Sequence, residues 1–223
     1  MTDGWFARHD RRVASGDVER ARAFDAATLY EANDQQGALD PAIRQMAPGL
    51  NVCGNAFTVR CQPGDNLTLH AAVAYASPGD VIVADVGDFA DAGHWGEILT
   101  VAATARGIGG LVINGGVRDI AALKPRGFPI FARAVSMKAT TKKVRGLLNH
   151  PLAFGGAHIR PGDLIVGDAD GVVAIAHDCV DDVLARAKER ETIESGIMKQ
   201  LENGELTLDL LQLRPLLAIV GSN

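Results

Sequence analysis

Twenty residues separate Glu97 from the pair Arg118-Asp119, and what lies between them admits few folds. Gly96-Glu97-Ile98-Leu99 opens an apolar stretch in which Ile98, Leu99, Val101, Ala102 and Ala105 recur at helical spacing. That spacing predicts a helix over residues 97–106 with one face on a core. Leu111-Val112-Ile113 then predicts a short buried strand over residues 110–113, and Asn114-Gly115-Gly116 a turn before Val117-Arg118-Asp119. A chain that crosses a sheet as loop, helix and strand returns its loops to one edge. Two carboxylates and a guanidinium can converge at such an edge on one small anionic ligand and one hard metal ion.

The rest of the chain repeats one kind of turn. Pro63-Gly64-Asp65, Pro78-Gly79-Asp80 and Pro161-Gly162-Asp163 share a proline that presets φ and a glycine that supplies positive φ. Strands are predicted after the second and third turns, over residues 81–85 and 164–168, and a helix after the first, over 66–76. Further strands are predicted over 52–61, 129–135, 153–154 and 171–175. A single amphipathic helix is predicted over residues 17–33, with Ala21, Phe24, Ala27, Leu29 and Ala32 inward and Ser15 or Asp17 as its cap. Residues 119–124 read as a short helix stopped by Pro125. Residues 178–203 read as a long charged helix stopped by Gly204, followed by an apolar tail over 206–217. Helices alternating with strands, then strands predominating, predict a layered α/β fold with a mixed sheet rather than a uniform parallel barrel. The long helix is too polar to be buried within its own domain. The expected organisation is a core over residues 1–177 and an arm over 178–223 that packs on a neighbouring subunit.

Composition narrows the function classes. With 223 residues and 47% hydrophobic content, the chain can bury one good core. A formal charge of −5 and only 5% aromatic residues argue against a nucleic-acid partner. Residues 1–12 are polar with no apolar signal core, and no run is long enough to span a bilayer, so no membrane partner is expected. Cys53, Cys61 and Cys179 lack metal-binding spacing and read as reduced thiols, in keeping with a cytoplasmic location.

Each candidate residue has a plain alternative. Gly93-His94-Trp95-Gly96 ahead of a helix offers backbone N–H groups to a carboxylate or phosphate, but alone it is an ordinary glycine turn. Glu97 alone is a first-turn acid. Asp119 is a hard oxygen ligand for Mg²⁺ or Mn²⁺, or equally a helix cap or the partner of Arg118. The histidines at 70, 94, 150, 158 and 177 have no zinc-site spacing; His94 is placed to shuttle protons, or is structural. No GxSxG and no Walker-type loop is present, which disfavours serine nucleophiles and nucleotide hydrolysis. Lys138, Lys142 and Lys143 lie in a polar loop with nothing apolar enough to depress a lysine pKa for Schiff-base chemistry.

Gly96-Glu97-Ile98-Leu99, Asn114-Gly115-Gly116-Val117-Arg118-Asp119 and Gly127-Phe128-Pro129-Ile130-Phe131-Ala132-Arg133 together resemble the RraA-like family over residues 20–215. The resemblance is closest to its metal-dependent class II pyruvate aldolases, which cleave 4-hydroxy-4-methyl-2-oxoglutarate and 4-carboxy-4-hydroxy-2-oxoadipate. It implies an α/β/β sandwich of the swivelling β/β/α type with a C-terminal helical extension. It also implies a homotrimer or hexamer with sites between subunits and a small 2-keto acid as substrate. Asp119 would bind the divalent metal, Mg²⁺ or Mn²⁺, and Glu97, where several members carry Asp, would hold a metal-bound water. Backbone amides of Gly96, Glu97, Ile98 and Leu99 would take the pyruvyl carboxylate, and Arg118 the keto oxygen. Glu194, or its rival Glu191, would come from a neighbouring subunit. Oxaloacetate decarboxylation through the same enolate is expected as a side activity. The alternatives are a non-enzymatic regulator of ribonuclease activity, like RraA itself, and a lyase acting on another 2-keto acid.

Overall fold

Strands whose residues are buried on both faces form the centre of the molecule. The computed structural model describes residues 4–8 and 10–218; the expected arm's last residues, 219–223, and residues 1–3 and 9 of the polar start lie outside the described residues. The chain begins with α1 (Ser15–Ala21), α2 (Ala26–Ala32), β1 (Arg44–Gln45), β2 (Val52–Arg60) and α3 (Leu67–Tyr75). It continues with β3 (Val81–Asp85), β4 (Gly93–Trp95), α4 (Glu97–Ala105), β5 (Gly110–Val117) and α5 (Ile120–Leu123). A 3₁₀ turn (Lys124–Arg126), β6 (Ile130–Val135), β7 (Leu147–Leu148), β8 (Leu152–Phe154) and β9 (Ala157–Ile159) follow. The last elements are β10 (Leu164–Gly167), β11 (Val172–Ile175), α6 (Val180–Glu202), α7 (Thr207–Leu210) and α8 (Arg214–Ala218).

The main sheet runs β1-β6-β5-β3-β2-β10-β11, with β4 beside β5 and β7 beside β2. β2, β3, β5 and β6 pair in parallel, whereas β10 and β11 join antiparallel. The expected mixed sheet is present. Its apolar parallel strands carry two cover layers, as strands of this composition require. On one face α3 and α4 seal a cluster around Leu69, Trp95, Leu99, Ile113 and Phe128. On the other, the β8–β9 hairpin closes over Val83, Val112, Phe131 and Ile159. A third cluster packs α1, α2 and the start of α6 on β10 and β11. In α6, Val180, Val183, Leu184 and Ala187 are buried, so its first two turns belong to the core and the charged remainder projects from it.

Four local expectations change. The single helix expected over residues 17–33 is two, broken near Phe24, because Asp25 accepts a hydrogen bond from the Thr28 N–H at 2.7 Å and starts α2 afresh. The expected caps Ser15 and Asp17 lie inside α1, and its N-cap is Ala14. Residues 93–95, read as a glycine turn, form a strand pairing Gly93 with Gly116 and Trp95 with Val117. Pro125 does not stop the segment. It falls in the first positions of the 3₁₀ turn, where its missing N–H costs nothing, and Gly127 at φ 68° ends it.

Candidate active site at the β4–α4 and β5–α5 junctions

The strand β5 runs on to Val117, beyond the residue 113 expected, and its parallel neighbours carry their loops to the same sheet edge. Close approach there depends on glycine: a Cβ on Gly116 would lie 2.7 Å from the Ala90 carbonyl oxygen. Trp95 is fully buried, stacks on Phe128 with ring centroids 6.0 Å apart, and donates from Nε1 to Thr100 Oγ1 at 2.7 Å. The start of α4 is thereby fixed against the end of β5, since the Arg118 N–H also donates to the Trp95 carbonyl at 2.9 Å.

That junction brings Glu97, Arg118 and Asp119 together. Asp119 adopts φ 62°, a left-handed conformation that aspartate tolerates better than most residues. Its side chain makes no cap to α5. Asp119 Oδ2 instead accepts the Glu97 N–H at 3.0 Å and lies 3.5 Å from Arg118 Nε. The capping alternative is therefore excluded, and the ion pair is real but half exposed. With the Glu97 N–H taken by Asp119, Ile98 and Leu99 retain the first-turn N–H groups that a helix cannot satisfy internally. The Glu97 carboxylate is itself held by Arg126, with Nε at 3.1 Å and Nη2 closer still. Nothing in the sequence pattern marked Arg126; the 3₁₀ turn that presents it was expected to be a helix end.

A small cavity beside Arg118 and the Gly96–Leu99 turn is also lined by Asn66, His70 and Lys142. It encloses about 50 Å³, room for roughly four waters. Asp65, the residue before Asn66, holds the loop that carries Lys142. Its carboxylate accepts Thr141 Oγ1 and the Lys143 N–H, each at 2.6 Å, and the Val144 N–H at 3.2 Å, tying the lysine loop to the start of α3. Burial pushes the Asp65 pKa up, but these hydrogen bonds and one from the Leu67 N–H outweigh it and hold it at about 2.

His94 is structural. It is fully buried, its Nε2 accepts the Gly64 N–H at 3.1 Å, and burial lowers its pKa, so the ring stays neutral. Burial raises Cys53 to about 11 and Cys61 to about 12, so both remain inert thiols.

No group of three or more His, Cys, Asp or Glu side chains suited to a metal ion occurs among the described residues. The donor set at the junction is one carboxylate, Asp119, with Glu97 near it. That suits a hard, water-rich cation such as Mg²⁺, which needs few protein ligands, and does not suit zinc. Glu194 lies elsewhere in the chain. It pairs with Arg190 Nε at 2.8 Å, and Arg190 also binds Glu31 of α2. With Glu191 it lines a separate groove against Asp25 and Thr28. Among the described residues no helix is long and apolar enough to cross a membrane.

Comparison with known proteins agrees with this architecture. A protein of Halalkalibacterium halodurans, provisionally named a 4-hydroxy-4-methyl-2-oxoglutarate aldolase, is 38% identical over 191 residues, 86% of this chain and 91% of its own. A solved structure of an uncharacterized Pseudomonas syringae protein has a TM-score of 0.83 at 31% identity, covering 93% of this chain and 97% of that one. An unusual member of the RNase ES inhibitor RraA family from Streptomyces coelicolor has a TM-score of 0.76 at 25% identity, covering 85% and 100%. The family described as Aldolase/RraA matches residues 21–174, and the chain belongs to it: this is an RraA-like protein.

Proposed function

We propose that this protein is a divalent-metal-dependent lyase that splits a 4-hydroxy-2-oxo acid into pyruvate and a second keto acid. The observation that carries the reading is the meeting of Arg118 and Asp119 at the first turn of α4, which Glu97 opens and whose Ile98 and Leu99 N–H groups are left over. The Ile98 and Leu99 N–H groups, at the positive end of the helix, suit the substrate's 1-carboxylate. Arg118 is the permanent cation beside them, and it would bind the 2-oxo oxygen and hold the negative charge that grows there as the enolate forms. A divalent cation on Asp119 would supply Lewis-acid polarisation of the 2-oxo group. Cleavage of the C3–C4 bond needs the 4-hydroxyl proton removed, and Glu97, positioned by Arg126, can take it through a water. Glu194 of a neighbouring copy is the second candidate for that task. The electrons of the broken bond pass into the enolate, and protonation at C3 gives pyruvate. Oxaloacetate would lose CO₂ through the same enolate.

The test is pyruvate release, coupled to lactate dehydrogenase, from 4-hydroxy-4-methyl-2-oxoglutarate, 4-carboxy-4-hydroxy-2-oxoadipate and oxaloacetate. Activity with Mg²⁺ or Mn²⁺ is expected to vanish with EDTA and in Asp119→Ala. In Arg118→Ala it should fall by about 10²-fold or more, as removal of an oxyanion donor does. Activity that survives both EDTA and Asp119→Ala overturns the metal's role. The fold shared with the Streptomyces coelicolor RraA-family protein supports a second reading, a regulator of ribonuclease activity. Inhibition of a ribonuclease with no pyruvate from any of the three acids would favour it.

A further inference from the structure

Three residues that line the cavity with Arg118, namely Asn66, His70 and Lys142, have no part in holding a pyruvyl group, yet carry unused polar atoms. Asn66 is 6% exposed and its orientation is fixed, because Nδ2 donates to the His94 carbonyl at 2.9 Å. Its Oδ1 is thereby left as a buried acceptor with no hydrogen-bond partner among the described residues. His70 Nε2, four residues on and on the same face of α3, is likewise buried and unpartnered. Buried polar atoms in a native fold are normally satisfied; these two and His94 Nδ1 are three exceptions on residues lining one cavity, and they point to a ligand. Lys142 lines the same cavity, carried there by the Asp65 clamp. The residues lining the cavity thus bring a guanidinium, an ammonium and an obligate acceptor to one space.

We propose that Asn66, His70 and Lys142 form the subsite for the distal half of the substrate, a carbon bearing a hydroxyl group and a second carboxylate. The ammonium of Lys142 binds the distal carboxylate as a point charge. The hydroxyl donates to Asn66 Oδ1, the only role open to that fixed acceptor. His70 Nε2 completes the contact with the distal carboxylate. Desolvation first, and the Lys142 charge second, lower the His70 pKa. The imidazole is therefore neutral in the empty site and can donate through Nε2–H without adding charge. The subsite rests on the lyase reading for the identity of the substrate, but its ligand chemistry, a dianion with a hydroxyl, can be measured without turnover.

The experiment is calorimetric titration of the full-length protein with Mg²⁺, using pyruvate and 2-oxoglutarate, neither of which has a cleavable hydroxylated carbon. Lys142→Met is expected to weaken 2-oxoglutarate by about tenfold or more, the loss of one charge-assisted contact, and to change pyruvate by less than about twofold. The His70 imidazole ¹⁵N resonances in the unmodified protein should move on adding 2-oxoglutarate and stay in place with pyruvate. In turnover, His70→Phe should raise KM for 4-hydroxy-4-methyl-2-oxoglutarate by about tenfold while kcat stays within about threefold, the signature of lost uniform binding. Equal losses for both ligands in Lys142→Met, or unmoved His70 resonances with 2-oxoglutarate bound, overturn the subsite. The two proposals fail separately. Diacid selectivity without pyruvate release would remove the lyase and leave the subsite. Pyruvate release with selectivity unchanged in Lys142→Met would do the reverse.

Discussion

Gly96 shows how little space the junction leaves for error. Its φ of −151° is extended backbone that any residue adopts, so the requirement for glycine is one of space. A Cβ there would fall on Asp119 Oδ2 and come within 3.0 Å of Arg118 Cγ and 3.1 Å of Arg118 Nε. These are the two side chains to which the chemistry is assigned. They are half exposed and can swing away, so the fold would survive while the constellation would not. Gly96→Ala is expected to lower kcat/KM for pyruvate release by about 10²-fold, as misplacing reacting groups by about 1 Å does. Its Tm should fall by no more than a few degrees, because displacing exposed side chains costs about 1 kcal/mol or less. A calorimetric scan run beside the kinetic assay checks both. A large loss of Tm would mean that Gly96 serves packing rather than the site.

Among the elements, the lysine loop owes three of its hydrogen bonds to one side chain. Asp65 is nearly fully buried, and its carboxylate ties residues 141–144 to the start of α3. Its folded-state pKa of about 2 lies below the ordinary value of 3.8. A depressed carboxylate contributes stability above the unfolded pKa, and the contribution is lost as pH falls from about 4 toward 2. The size is on the order of 2 kcal/mol. Asp65→Asn is therefore expected to lower stability at pH 7 by about that amount and to flatten the acid limb of a urea-denaturation series between pH 5 and pH 2. An unchanged acid limb would show that the clamp is not ionised as described. The sequence exposed the turn that carries Asp65, because Pro-Gly-Asp is a local signal. It did not expose the clamp, because the partners of Asp65 lie more than seventy residues on. The same reason hid Arg126 and the orphaned atoms of Asn66 and His70: their meaning arises from packing between elements. Glu97, Arg118 and Asp119 were legible because each sits at the end of an element whose apolar periodicity is strong. The break between α1 and α2 was not, because the apolar spacing runs through it while a side-chain cap decides it.

At the scale of the whole molecule, the site is open on one side. Ile98 and Val101 of α4, Val135 at the end of β6 and Met137 beyond it are exposed apolar side chains near the junction, with Met137 91% exposed. Ile193 and Met198 of α6 and Leu206, Leu211, Leu216 and Leu217 of the tail are exposed as well. A monomer has little reason to present so many in two sets, one beside the site and one on the arm, and closed rings of identical subunits join such sets head to tail. In that arrangement the projecting half of α6 would carry Glu194 from one copy toward Arg118 of the next, and the Arg190 bridge to Glu31 would hold the helix at its angle. The prediction follows from the arithmetic of a shared site. Asp119→Ala and Glu194→Ala subunits are each expected to be inactive alone. Denatured together in equal amounts and refolded, they form mixed rings in which an intact site needs Asp119 from one copy and Glu194 from its neighbour. Random mixing meets that condition at about a quarter of the interfaces, so about a quarter of the activity should return. Mass spectrometry of the intact assembly verifies that mixed rings have formed. If they have, and no activity returns, the acid and the metal ligand serve the same copy or Glu194 serves none, and the arm's contribution is packing alone.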